Sequence, residues 1–140
     1  KYDLVMLDAF EADYVPEHML TREFLEEVTA IMTSDGVLAA NTFSRSALYD
    51  YESVTYQAVF GEFYNVKFSN RIILAKRDGL PSMDVVRANA QIWDAELRSR
   101  DANPDFVLPI MSTNVDWDTD LPILTDQYSP SNVLNAMSRQ

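Results

Sequence analysis

The sequence contains no cysteine, one histidine and three glycines. Without cysteine there can be no disulfide, no thiolate-zinc site and no thiol nucleophile. The single histidine, His18, rules out His-pair metal motifs and makes a Ser-His-Asp triad a poor candidate. His18 itself lies in a loop beside acids and reads as an exposed or capping side chain. Gly36, Gly61 and Gly79 are too scattered to cradle a phosphate, and each reads as a turn or a cap. No apolar run approaches the ~18 residues that a membrane-crossing helix needs. The first residues do not read as a signal peptide. Basic residues are also scarce, with 11 Lys and Arg against 22 Asp and Glu, a net charge of −11. Such a balance repels phosphate backbones, which argues against nucleic acid as a partner.

What is present fits one globular domain: 140 residues, of which 47% are hydrophobic, 24% charged and 11% aromatic. The acidic excess sits at the two ends. Residues 1–27 carry eight acids and two bases, residues 28–100 eight of each, and residues 101–140 six acids and one base. A cationic ligand would be attracted to such a molecule, although the same charge also serves solubility. The chain opens Lys1-Tyr2-Asp3, without methionine, and enters an apolar strand at once, so a fragment or excised domain is expected.

Leu4-Val5-Met6-Leu7 is a continuous apolar run and reads as a strand buried on both faces. Residues 9–19 read as a loop. Thr21 is a good N-cap, with Leu20 and Leu25 spaced as a hydrophobic staple. Phe24, Leu25, Val28, Ile31 and Met32 recur at helical spacing, and Ser34-Asp35-Gly36 is expected to stop that helix. Val37-Leu38-Ala39-Ala40 reads as a second buried strand. Ser44 or Ser46 can cap a helix carrying Leu48, Tyr51, Val54, Ala58 and Val59, which Gly61 ends. Residues 63–68 and 71–75 form an antiparallel hairpin about Ser69-Asn70. Pro81-Ser82 opens a helix whose Val86, Ala90, Trp93 and Leu97 share one face, and Asn103-Pro104 breaks it. Residues 105–140 read as an extended tail with a short helix after Pro130. Met6, Met19 and Met32 read as core.

The order β-α-β-α-β-β predicts a mixed, mostly parallel, Rossmann-like sheet. The first strand is as apolar as a central one, yet nothing precedes it to pair on its far side. It is therefore expected to pair with a missing N-terminal half or with a second copy.

Ligands of open α/β sheets bind beyond the carboxyl ends of the strands. Asp8 stands at that end of the first strand, followed by Glu11, Asp13 and Glu17 with Tyr14 between them. Carboxylates there can hold an ammonium group or take its proton; they can equally cap loop backbone. Asn41 and Thr42 occupy the matching end of the second strand, lining the same cleft or turning the chain. Asp116, Asp118 and Asp120 resemble the start of a calcium loop, but Leu121 and Gln127 stand where such a loop needs glycine and glutamate. No metal site is expected.

Residues 2–10 (Tyr2-Asp3-Leu4-Val5-Met6-Leu7-Asp8-Ala9-Phe10), Pro16, residues 20–25 (Leu20-Thr21-Arg22-Glu23-Phe24-Leu25) and Asp35-Gly36-Val37-Leu38 together resemble the C-terminal half of spermidine synthase-like proteins. These are polyamine aminopropyltransferases of the class I S-adenosylmethionine methyltransferase fold. Leu124-Thr125-Asp126-Gln127-Tyr128-Ser129-Pro130 looks like the LTDDYAP ending of bacterial members. The resemblance implies that an amine attacks the methylene beside the sulfonium of decarboxylated S-adenosylmethionine. It also implies that Asp8 takes the amine proton and that Glu11 binds the acceptor; Tyr14 in the same loop and Asn41 at the neighbouring strand end are further candidate substrate-binding residues by their place in the sequence. The sequence departs from the family in two places. Asp8-Ala9-Phe10-Glu11-Ala12 replaces the usual Asp-Ser-Ser-Asp-Pro. The pocket loop between the last two strands, with its tyrosine, shrinks to Ser69-Asn70.

The resulting expectation has two parts: residues 1–78 as the C-terminal half of a methyltransferase-like domain, and residues 79–140 as a helix and acidic tail packed on it. The parent is a cytoplasmic transferase using decarboxylated S-adenosylmethionine and a polyamine or other cationic small molecule. Its donor site lies mainly in a missing N-terminal half, so the isolated chain binds no cofactor and does not turn over. It has no nucleic-acid or membrane partner, and it is a homo-oligomer or pairs with that half through strand 4–7. A methyltransferase on the same fold and a non-catalytic oligomerising domain remain the alternatives.

Overall fold

A computed structural model describes residues 1–9, 14 and 16–138 of the protein. Strand β1 (Tyr2–Leu7) leads through a 3₁₀ turn at Glu17–Leu20 to helix α1 (Arg22–Ile31) and strand β2 (Met32–Thr42). Helix α2 (Leu48–Phe60) precedes the hairpin of β3 (Tyr64–Lys67) and β4 (Arg71–Lys76). Helices α3 (Met83–Ile92), α4 (Asp94–Ser99) and α5 (Pro104–Val107), strand β5 (Met111–Ser112) and helix α6 (Ser131–Ala136) follow.

Among the described residues the sheet has five strands in the order β1-β2-β4-β3-β5. β1 and β2 run parallel, with α1 as the crossover, and the other three pairings are antiparallel. The expected mostly parallel sheet is thus corrected to a mostly antiparallel one. The cause is the hairpin: β4 inserts between β2 and β3, so both of its neighbours run against it, and β5 adds an antiparallel edge.

The core lies on one face of the sheet. There Leu7, Leu38, Ala40, Ile73 and Ala75 meet Leu25 and Val28 of α1 and Tyr49, Val54, Tyr56 and Phe60 of α2. The tail completes it: Trp117 stacks on Phe63 with ring centroids 5.2 Å apart, and Leu121 and Ile123 pack alongside. Met32 is buried within this core, whereas Met6 is not. β1 is not buried on both faces. Tyr2, Leu4 and Met6 are 61%, 55% and 71% exposed, because side chains alternate along a strand and only one face of β1 meets the helices.

Local expectations hold in places and fail in others. The Thr21 hydroxyl caps α1, accepting from the Phe24 N–H at 3.3 Å, and Gly61 ends α2 at φ 72°. Gly36 does not stop α1. The helix ends at Ile31, β2 begins at once, and Gly36 lies inside that strand where its register against β1 shifts. Neither Ser44 nor Ser46 caps α2; Ala47 holds the N-cap position, and Ser44 Oγ donates instead to the Ser69 carbonyl at 3.0 Å. Ser82 caps α3 as its position suggests, but the helix is interrupted at Trp93. Asn103-Pro104 opens α5 rather than only breaking its predecessor: Asn103 Oδ1 accepts from the Asp105 N–H at 3.1 Å.

Candidate functional site

The carboxyl ends of the parallel strands β1 and β2 point the same way, and the antiparallel strand β4 starts at that end. This geometry gathers Asp8, Asn41 and Asn70. Asn41 Nδ2 donates to Asp8 Oδ1 at 2.9 Å, and Asn70 Nδ2 donates to Asn41 Oδ1. The three side chains line a cavity of about 200 Å³ whose walls are Met6, Leu7, Ala39 and Ile72. Asp8 is exposed at its mouth. Asn41 and Asn70 also border a second cavity of about 390 Å³, which continues over Thr42 and Ser44 towards Asn135 and Ser138.

A buried ion pair lies behind this cluster. Arg71, next to Asn70, donates to Thr42 Oγ1 at 2.8 Å, to Ser53 Oγ at 2.5 Å and to Glu52 Oε2 at 2.9 Å. Its guanidinium lies 4.0 Å from the centroid of the Tyr49 ring. Arg71 and Glu52 are both fully buried. Burial pushes the Glu52 carboxyl up to about 7, against the opposing pull of Arg71.

The structure therefore brings together Asp8 and Asn41 of the expected residues. Glu11 lies outside the described residues. Tyr14 is exposed and lines a different cavity of about 620 Å³, together with Glu17, His18, Thr21, Asp126 and Gln127. His18 is exposed there, as its loop position suggests. The aspartates at 116, 118 and 120 serve separate contacts. Asp116 accepts from the Tyr49 hydroxyl at 2.6 Å and from Lys67, while Asp118 accepts from the Asp120 N–H at 2.9 Å. Among the described residues no group of three or more acidic or histidine side chains is placed to hold a metal. Nor is any helix long and apolar enough to cross a membrane.

Over 138 residues, 96% of this chain, the sequence is 45% identical to the polyamine aminopropyltransferase of Vibrio vulnificus (strain CMCP6). This similarity agrees with the spermidine synthase-like resemblance of the sequence. The chain spans 46% of the length of that relative. No family profile matches the chain, and no solved structure matches it.

Two of the stretches that carry the spermidine synthase resemblance show where it lies in the fold. Residues 2–7 form β1, and Asp8 follows its last residue. The tail motif folds back onto the start of α1. Leu124 is buried, its N–H donates to Thr55 Oγ1 at 2.9 Å, and its carbonyl accepts from the Arg22 N–H at 2.9 Å. The Thr21 hydroxyl donates to Asp126 Oδ1 at 2.7 Å, and the Asp126 N–H donates to Glu23 Oε2 at 3.1 Å. The motif thus braces the N-terminus of the crossover helix between β1 and β2. The sequence reading missed Asn70, which it took only as a turn residue. The available signal was strand direction: the tip of a hairpin antiparallel to β2 must lie at the carboxyl end of β2.

Proposed function

We propose that this chain is the acceptor-side portion of an aminopropyltransferase, with a methyltransferase-like fold completed by further chain. The observation that carries the reading is Asp8: a carboxylate at the carboxyl end of β1, held by Asn41 at 2.9 Å and exposed on a small cavity. Its position in the motif shared with the polyamine aminopropyltransferase relative supports it.

An ammonium group cannot attack carbon until it loses a proton. Asp8 binds the amine of a polyamine acceptor, accepts that proton and orients the nitrogen lone pair. The lone pair then attacks the methylene next to the sulfonium of decarboxylated S-adenosylmethionine, and the carbon–sulfur bond breaks to leave a neutral thioether. Asn41, Tyr14 and Glu11 are assigned to the acceptor. The net charge of −11 favours capture of a cation. The donor is assigned to chain outside residues 1–140, the parent to the cytoplasm, and residues 79–140 to a helix and tail packed on residues 1–78.

A second reading is favoured by one observation, the exposed Tyr2, Leu4 and Met6 of β1. They suit pairing of this edge strand with the remainder of the fold or with a second copy, and the chain would then be an oligomerising module.

Product analysis with both donors separates the readings. In a longer protein that contains this chain, decarboxylated S-adenosylmethionine and putrescine should yield spermidine. Asp8→Asn should lower that rate by roughly 10²–10⁴-fold. Methylated amine from S-adenosylmethionine would replace the proposal with a methyltransferase, and no binding of either donor would favour the oligomerising module. The 140 residues alone should give no product; spermidine from the isolated chain would overturn the assignment of the donor site elsewhere.

A further inference from the structure

We infer that Asn70 is a positioning residue for Asp8, acting through Asn41 from a hairpin tip that the buried Arg71 anchors. The inference rests on the reading of Asp8 as the amine-facing carboxylate. An exposed aspartate at a strand end can turn about its side-chain torsions, and one hydrogen bond fixes it only if the donor is itself fixed. Asn41 can present either its amide nitrogen or its amide oxygen to Asp8, and only the nitrogen donates. Asn70 decides between them: its Nδ2 donates to Asn41 Oδ1, which leaves Asn41 Nδ2 directed at Asp8 Oδ1. A flipped Asn41 would face nitrogen to nitrogen on one side and oxygen to carboxylate on the other. Among the described residues the hydrogen bond to Asp8 goes to Oδ1.

The arm is held from behind. Ser44 Oγ donates to the Ser69 carbonyl at 3.0 Å, and the Phe68 N–H donates to the Asn70 carbonyl at 2.9 Å. Arg71 locks to Thr42 Oγ1, and Thr42 is the neighbour of Asn41. The two residues are paired in register, so the link that ties β4 to β2 in the core also sets Asn70 against Asn41 on the surface. The two-residue tip, Ser69-Asn70, thus supplies an amide where the resembling family carries a longer pocket loop.

The test is NMR on the 140-residue chain, reading the Asn41 side-chain amide and the Asp8 carboxyl carbon. In Asn70→Ala both signals should move: the two Asn41 amide protons should lose their hydrogen-bonded separation and the Asp8 carbon should shift. The backbone signals of Ile72–Ala75 should stay in place. Asn70→Asp keeps a good turn residue but cannot donate to Asn41 Oδ1, so it should displace the same two signals even if the alanine variant loosens the hairpin. An Asn41 amide and an Asp8 carbon unmoved in both variants, with β4 intact, would overturn the inference. Titration of the unsubstituted chain with putrescine separates the two claims. If the diamine leaves the Asp8 carbon in place while the Asn70 variants move it, the positioning stands and the proposed acceptor role falls.

Discussion

A methyl group on Gly36 would stand 3.0 Å from Met32 Cβ and from the carbonyl oxygens of Thr33 and Tyr2. Two of those three neighbours are backbone and cannot rotate away. The crowding arises where the β1–β2 register slips, between the pairs Tyr2–Met32 and Leu4–Val37. Thr33 Oγ1 ties the bulge to Asp3 Oδ1 at 2.9 Å, and the Gly36 carbonyl accepts from the Arg77 N–H at 3.2 Å. Glycine is required there for close approach, not for a left-handed conformation. Gly61 is the reverse case, with nothing within 4 Å of a built Cβ but φ at 72° and ψ at −127°. Alanine at either position should destabilise the fold by about 1–3 kcal/mol, by overpacking at 36 and by backbone strain at 61. Urea unfolding of the two variants measures this. A neutral Gly36→Ala would mean that the bulge opens without cost.

At the scale of elements, Arg71 and Glu52 couple β4 to α2 through a pair that water does not reach. Glu52 also meets Tyr56 there; burial and the Glu52 charge both raise the Tyr56 hydroxyl. Removing one partner leaves the other buried alone, so Arg71→Met should cost about 3–5 kcal/mol, and adding Glu52→Leu should recover much of it. The Glu52 carboxyl is pushed up to about 7 in the fold from its ordinary 4.5. Its proton is therefore held more tightly folded than unfolded. That contribution is fully present below 4.5 and is lost as pH rises through 7. Thermal midpoints should fall between pH 5 and 8, and Glu52→Gln should flatten the profile. Glu23 and Asp35, whose pKa values are lowered, titrate below this window. None of this was legible in sequence, where Glu52 is one acid in a helix and Arg71 one base in a strand. The Thr21 and Gly61 caps and the Ser69-Asn70 turn were legible, because they act on their own neighbours, whereas the cap expected at Ser44 or Ser46 and the stop expected at Gly36 were not found. Sheet direction was not legible, since it depends on where the hairpin inserts. Asp8 and Asn41 were readable because each ends a strand; their link to Asn70 needed the register of β2 against β4.

At the scale of the molecule, the helical layer covers one face of the sheet and leaves part of the other bare. Register places Leu4 beside Val37, Met6 beside Ala39, and Ala39 beside Leu74 on that second face. Leu74 in turn pairs with Tyr64 of β3, which is buried and donates its hydroxyl to the Pro81 carbonyl at 2.7 Å. Cover therefore thins from β3 towards β1, where the backbone edge is also unpaired among the described strands. An apolar strand with both an open edge and an open face favours association. The net charge of −11 opposes it, and added salt weakens that repulsion. The isolated chain should thus sediment as a dimer or larger species, more so at high salt. Leu4→Lys with Met6→Lys should return it to monomer while changing stability by no more than about 0.5 kcal/mol, since both side chains are already in water. A monomer at every concentration and salt, unchanged by the two lysines, would remove β1 as an association surface. A loss of stability on substitution would instead place Leu4 and Met6 in the packing of the chain itself.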